Sequence, residues 1–177
     1  MRLQIDAVCL GYRLENGTSS LAYLPDVEYL EEEHRQRMLR LLQSEGDPFS
    51  RAHFFPGHFT ASAFVLSSDE QSLLLIHHAK LGLWLQPGGH IDSDDEDIYA
   101  AARRELEEET GLSDCTRDSL IPDLLDVDIH KIPPNPKKDE PGHEHFDVRI
   151  LFCSRSDHIV AGSDALDARW VPLDAIE

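Results

Sequence analysis

Only three cysteines occur in 177 residues, Cys9, Cys115 and Cys153, and no CxxC pair is among them. Neither a disulfide framework nor a zinc ribbon is indicated, and a reducing compartment is the natural setting. No stretch approaches the roughly 20 apolar residues that span a bilayer. The opening MRLQIDAVCLGYRL lacks a basic segment followed by a long apolar run, so a cytoplasmic protein is expected. Basic residues are scarce as well: 16 Lys and Arg stand against 34 Asp and Glu, a net charge of −18. Such a surface is not built for nucleic acid or anionic lipid, because neutralising phosphates needs clustered Lys and Arg. A small phosphorylated substrate held through a cation stays open. What is present is apolar content of 41%, too much for a disordered acidic tail, in a chain long enough for one domain with or without an appendage.

Residues 3–10 read as a short strand before a turn at Asn16-Gly17. Between Pro25 and Gly46, Val27, Leu30, His34, Met38 and Leu41 recur at steps of three and four, which predicts an amphipathic helix closed by Gly46. Its apolar stripe suits completing a pocket, covering a sheet or forming a homodimer interface. The connector DPFSRAHFFPGHF then divides an N-terminal appendage, residues 1–57, from a main body, residues 58–177. The body opens with two β-like runs, ASAFVLSS and SLLLIHHA, then Leu83-Trp84-Leu85 and a turn at Pro87-Gly88-Gly89. Residues 96–110 are rich in helix formers and stop at Gly111. DLLDVDIHKI and EHFDVRILFC read as strands around a loop holding Pro133, Pro134, Pro136 and Pro141, and ARWVPLDAI reads as a last strand and helical turn.

The acidic excess is concentrated. From Gly89 to Leu112 nine acidic residues face two basic ones, a net −7 within 24 residues. Glu107, Glu108 and Glu109 crowd the negative end of a helix, where the macrodipole disfavours them. Carboxylates about 6 Å apart repel by about 0.7 kcal/mol in water and about 3 kcal/mol at an effective dielectric near 20. A cation would reverse that sign. Glu105, Glu108 and Glu109, at i, i+3 and i+4, project from one helical face, whereas Glu107 points elsewhere. Oxygen-only ligands of this kind suit Mg²⁺ or Mn²⁺ shared with a substrate diphosphate. Set against this, an isolated EEE run is most often a solvated helix face.

The surrounding residues decide between the two. Arg104, Glu105, Leu106, Glu108, Glu109, Gly111 and Leu112, preceded by Glu96 and Gly89, resemble the Nudix signature, in which glycine, five residues, glutamate and seven residues lead to Arg-Glu-apolar-x-Glu-Glu-x-Gly-apolar. Six residues rather than five separate Gly89 from Glu96; taking Asp95 instead repairs that spacing and breaks the one to Arg104. Glu96 is the preferred acidic position, since insertion is easier in the loop DSDD than in a helix. The resemblance runs over roughly residues 58–177 and implies an α/β fold, a Nudix-type α/β/α sandwich around a mixed sheet, with the N-terminal helical appendage outside it. It implies metal ligation by Glu105, Glu108 and Glu109 with the carbonyl of Gly89, and structural roles in the box for Glu96 and Gly111. It also implies that Arg104 pairs with Glu96 or a neighbouring carboxylate and braces the active helix. The implied reaction is hydrolysis of a nucleoside diphosphate derivative (a nucleotide sugar, ADP-ribose or a modified nucleotide) by metal-activated water; the resemblance does not fix the general base, for which Glu105 ranks first and a residue of the second cluster described below ranks next.

A second cluster is read from the residues directly. His143, His145, Asp147 and Arg149 share one face of a strand whose other face, Phe146, Val148, Ile150 and Phe152, is apolar. With His90, which follows the glycine pair, His143 and His145 form a candidate transition-metal site; binding substrate phosphate or facing solvent are the alternatives. Two further functions compete with hydrolysis. One is a nucleotide-metabolite sensor without turnover, which would have no need of a complete set of glutamates. The other is isomerisation of an isoprenoid diphosphate.

Overall fold

The computed structural model describes residues 12–13, 23–24, 32–116, 124–162 and 165–176. In chain order its elements are β1 (Tyr12–Arg13), β2 (Tyr23–Leu24), α1 (Glu32–Leu42), β3 (Gly57–Leu66), β4 (Ser72–His78), β5 (Trp84–Leu85), β6 (Gly88–His90), α2 (Ile98–Thr110), β7 (Cys115–Thr116), β8 (Leu124–Ile132), β9 (His143–Ser154), β10 (Ala165–Pro172) and a 3-10 turn, Leu173–Ala175. β1 and β2 pair with each other, and the other strands form one mixed sheet of eight with the spine β10-β4-β3-β9-β7. β5 joins β4, β6 joins β3, and β8 joins β9. This is the mixed α/β architecture that the resemblance implies: an open mixed sheet with two α-helices. No helix among the described residues is long and apolar enough to cross a membrane.

The centre of the sheet follows from alternation. β3 runs parallel to β9 over its whole length, from Gly57 opposite Glu144 to Leu66 opposite Cys153, and such a pair is usually covered on both faces. On one face Phe59, Ala61, Ala63 and Val65 of β3 meet Phe146, Val148, Ile150 and Phe152 of β9, all fully buried. Ile98, Ala101, Ala102 and Leu106 of α2 and Met38 and Leu41 of α1 join the same apolar cluster. Of the three uses open to the N-terminal stripe, its described part thus covers the sheet. The opposite face is polar yet also buried: His58, Thr60 and Ser62 on β3, His143 and Asp147 on β9.

Local expectations meet tertiary context in several places. The strand expected over residues 3–10, the Asn16-Gly17 turn, and Val27 and Leu30 lie outside the described residues. α1 ends at Leu42 rather than at Gly46, because the Ser44 hydroxyl and amide both donate to the Leu41 carbonyl; Gly46, at φ +95°, turns the chain afterwards. Gly88 and Gly89, expected in a turn, continue with His90 as β6, whose register sets Gly88, Gly89 and His90 opposite Ser62, Ala61 and Thr60. Pairing to a buried neighbour outweighs the turn preference of the glycines. The two runs that open the body meet only at Leu66 and Leu73, since β10 takes the length of β4.

Candidate active site

The helix carrying the glutamates is fixed at both ends by its own sequence. Asp97 is extended and its carboxylate accepts the Ala100 amide at 2.7 Å, so the helix begins at Ile98 rather than at residue 96. Gly111 closes it at φ +66°, a left-handed conformation that suits glycine, and its amide donates to the Glu107 carbonyl at 2.9 Å. Beyond that cap the chain returns, and the amides of Val160 and Gly162 donate to the carbonyls of Thr110 and Glu109 at 2.8 and 2.7 Å. Three carbonyls at the acidic end of the helix are therefore satisfied by backbone amides.

Between these ends Glu105, Glu108 and Glu109 line one side of α2 at different depths. Glu108 is exposed, Glu105 is half-buried and Glu109 is buried. A Glu109 oxygen accepts the Gly88 amide at 3.0 Å. The Glu105 carboxyl lies directly on Gly89, where a Cβ would come within 2.6 Å of it, so only glycine permits this approach. Burial raises the pKa of Glu105 from its ordinary value, against the lowering by Arg104. Gly89 and Ala61 pair on the apolar side of the sheet, and that places the glycine under α2.

Arg104 ties the group together. Its Nε and Nη2 donate to the two oxygens of Asp95 at 3.0 and 2.9 Å, Nη1 donates to Glu105 at 2.9 Å and to Glu108 at 3.4 Å, and Nη2 also reaches the His90 carbonyl at 2.9 Å. The carboxylates beside it, Asp95 first, push the guanidinium pKa up. The partner is thus Asp95 and not Glu96, which is exposed. The sequence expectation for Glu96 is corrected on this point: five residues do separate Gly89 from the paired carboxylate, and the extra residue falls after it, in the turn before the Asp97 cap. Asp95 is held in place by the Asp92 amide, which donates to it at 2.8 Å.

The polar face of the sheet separates into two groups. Asp147 accepts hydroxyls from Thr60 and Ser62 at 3.0 and 2.8 Å, while Arg149 pairs with Asp126 and Asp128 at 3.2 and 3.3 Å. These two expected site residues are engaged within the sheet, and none of their partners is one of the three glutamates. His90, His143 and His145 do come together, and a fourth imidazole, His58, lies among them. Ring centroids are 4.8 Å apart for His58 and His145, 5.0 Å for His58 and His143, 5.2 Å for His58 and His90, and 5.3 Å for His90 and His145. Burial pushes His90 down to about 4 and His145 down to about 3, and it lowers His58 as well, so burial disfavours the charged form of these three rings. The linear sequence gives no sign of His58; only the register of β3 against β9 puts it opposite His145.

A family model described as the NUDIX domain matches residues 56–177. A probable DHNTP pyrophosphohydrolase of Lactococcus lactis is 28% identical over 126 residues, covering 71% of this chain and 73% of that protein. The m7GpppN-mRNA hydrolase NUDT17 of Danio rerio is 34% identical over 102 residues, and the match spans 55% of this chain but only 33% of the relative. Among solved structures, the Nudix hydrolase RenU of M. smegmatis is 21% identical with a TM-score of 0.47, over 66% of this chain and 71% of that one. With Glu105 against Gly89, Glu109 on the Gly88 amide and the family model covering more than half of the sequence, the chain belongs to the Nudix hydrolase family.

Proposed function

We propose that the protein is a divalent-cation-dependent hydrolase that cleaves a diphosphate linkage in a nucleoside diphosphate derivative such as a nucleotide sugar, ADP-ribose or a modified nucleotide. The observation that carries this reading is the placement of Glu105, Glu108 and Glu109 on one side of α2, with Glu105 against Gly89, Glu109 on the Gly88 amide and Glu108 on Arg104. An all-oxygen, anionic donor set fits a hard cation, with Mg²⁺ first and Mn²⁺ second. The three carboxylates and the Gly89 carbonyl would hold it. The two relatives, a probable pyrophosphohydrolase and an mRNA hydrolase, support hydrolysis. The net charge of −18 favours a small substrate over a nucleic acid.

When bound, such a cation neutralises phosphoryl charge and makes water a better nucleophile. The chain's own residues supply position. Arg104, clamped by Asp95, fixes the directions of Glu105 and Glu108 and acts as a positioning residue. Glu105, half-buried against the glycine, would accept the proton of the attacking water at its carboxylate.

The test is a panel of nucleoside diphosphate derivatives incubated with Mg²⁺ or Mn²⁺ and read for phosphate and nucleoside monophosphate. Turnover by the wild type that disappears in both Glu108→Gln and Glu109→Gln, with circular dichroism unchanged, is the expected result. Full activity in both variants would remove the metal assignment. Tight nucleotide binding without any product would favour the sensor, and an isomerised diphosphate would favour the isomerase.

A further inference from the structure

Four imidazoles share the buried polar face of the sheet, and the glutamate site makes no use of them. We propose that His58, His143 and His145 bind one divalent transition-metal ion of the zinc class, at a site distinct from the glutamates. The backbone brings the three together: His58 on β3 is directly opposite His145 on β9, and His143, two residues earlier on β9, shares its face. One ring nitrogen from each lies within 4.8 Å of the other two. A tetrahedral site with metal–nitrogen distances of about 2.0–2.1 Å needs nitrogens about 3.3 Å apart, so the rings must close by at most about 1.5 Å.

The tautomers point the same way. The Nδ1 of His58 faces the His53 carbonyl at 3.1 Å, and the Nδ1 of His143 faces the Pro141 carbonyl at 2.8 Å. A carbonyl only accepts, so in a neutral ring the proton sits on Nδ1 and the lone pair on Nε2. Hydrogen bonds of this kind behind a ligand fix ring orientation and strengthen it as a donor. His58 is 1% exposed, and its Nε2 has no hydrogen-bond partner among the described residues. A buried polar atom left in this way calls for an explanation, and a metal ion provides one.

The surroundings select the ion. Glu144, between the two histidines of β9, pairs with Arg37 at 2.6 Å, Asp147 accepts the Thr60 and Ser62 hydroxyls, and Asp128 accepts His130 at 2.8 Å and pairs with Arg149. The donor set is therefore imidazole alone, which suits Zn²⁺, Co²⁺ or Fe²⁺ and not Mg²⁺. The Phe54 ring, 5.1 Å from that of His143, adds an apolar wall. The His90 ring stands 5.2 Å from that of His58 and 5.3 Å from that of His145. His90 follows Gly89, whose pairing with Ala61 assigns it to the other face, so alternation along β6 sets the two sites on opposite sides of the strand.

The experiment uses the full chain, stripped with a chelator and held in excess Mg²⁺, titrated with Co²⁺ by visible absorption and with Zn²⁺ by elemental analysis. One ion per chain is expected, with the absorption of a nitrogen-ligated Co²⁺ site, and it should persist in Glu108→Gln and Glu109→Gln. His143→Gln and His145→Gln should each weaken binding at least about 100-fold, the upper end of what losing a mere outer partner costs. His58→Gln should do the same where circular dichroism shows it folded; the other two variants decide the matter if it is not. Absence of a stoichiometric ion, loss of the ion in the glutamate variants, or unchanged affinity in both His143→Gln and His145→Gln would overturn the proposal. Hydrolysis supported by Mg²⁺ is read separately, so either site can fail without the other.

Discussion

Replacing Asp95 by alanine should destabilise the fold far more than replacing its neighbour Glu96. The Asp95 side chain is only 6% exposed and engages the Arg104 guanidinium in a two-point contact. Breaking a buried pair by removing one partner costs about 3–5 kcal/mol. Here Arg104 keeps Glu105 at 2.9 Å and remains partly solvated at 24% exposure, so the cost falls to about 2–3 kcal/mol. Asp95 also loses the Asp92 amide that orders the loop. Glu96→Ala, at an exposed position, should stay within about 0.5 kcal/mol. Urea unfolding at constant slope measures both, and for a chain of this size the difference corresponds to roughly 5–10 °C in melting temperature. A cycle with Arg104→Ala should return a coupling of at least about 1 kcal/mol for Asp95 and none for Glu96. Equal losses in the two single variants, or a larger one for Glu96→Ala, would refute the pairing and restore the count made from Arg104.

Three further outcomes follow from the packing. Gly89→Ala drives a methyl group into the Glu105 carboxyl, so kcat should drop at least about tenfold through misplacement while the circular dichroism spectrum holds; unchanged kcat would show that this contact has no part in turnover. Leu41→Ala, at a site with no solvent exposure in the shared core, should cost about 2–5 kcal/mol in the main unfolding transition; a loss below about 0.5 kcal/mol would mean that α1 is an independent appendage. Burial pushes the Cys115 thiol up to about 11, so folding favours the protonated form, and that contribution to stability is intact at neutral pH and fades as pH rises from about 9 toward 11. At pH 8 its thiolate is about 100-fold scarcer than that of an ordinary thiol. Peptide-mapped alkylation should find Cys115 correspondingly slow in the native chain, and reactivity equal to that of the unfolded chain would refute the shift.

What the sequence discloses here is whatever depends on nearby residues. Helical spacing is enough to place Glu105, Glu108 and Glu109 on one side of α2, and alternation is enough to set His143, His145, Asp147 and Arg149 opposite an apolar face. Counting along the chain could not separate Asp95 from Glu96, because each satisfied one of two spacings and only the position of the Asp97 cap reveals where the extra residue lies. His58 is beyond such reasoning altogether. Its neighbour His145 is 87 positions away, brought alongside by a parallel register that no local pattern encodes. The strand Gly88–His90 was hidden for the same reason, since its partner Thr60–Ser62 is distant and its glycines resemble a turn.

The amides of Gly111, Val160 and Gly162 at the end of α2 have a thermodynamic consequence. They satisfy carbonyls at the helix terminus with protein groups, so those hydrogen bonds need no cation. Loading and folding are then separate equilibria, unlike small zinc modules in which the metal is the folding energy. Under the proposed cation dependence, an ion at the glutamates would add only what mass action gives, about 2.7 kcal/mol at a hundred times its dissociation constant. On that proposal, one ion would leave and another take its place without the chain unfolding, and the surrounding cation pool would decide which ion is present.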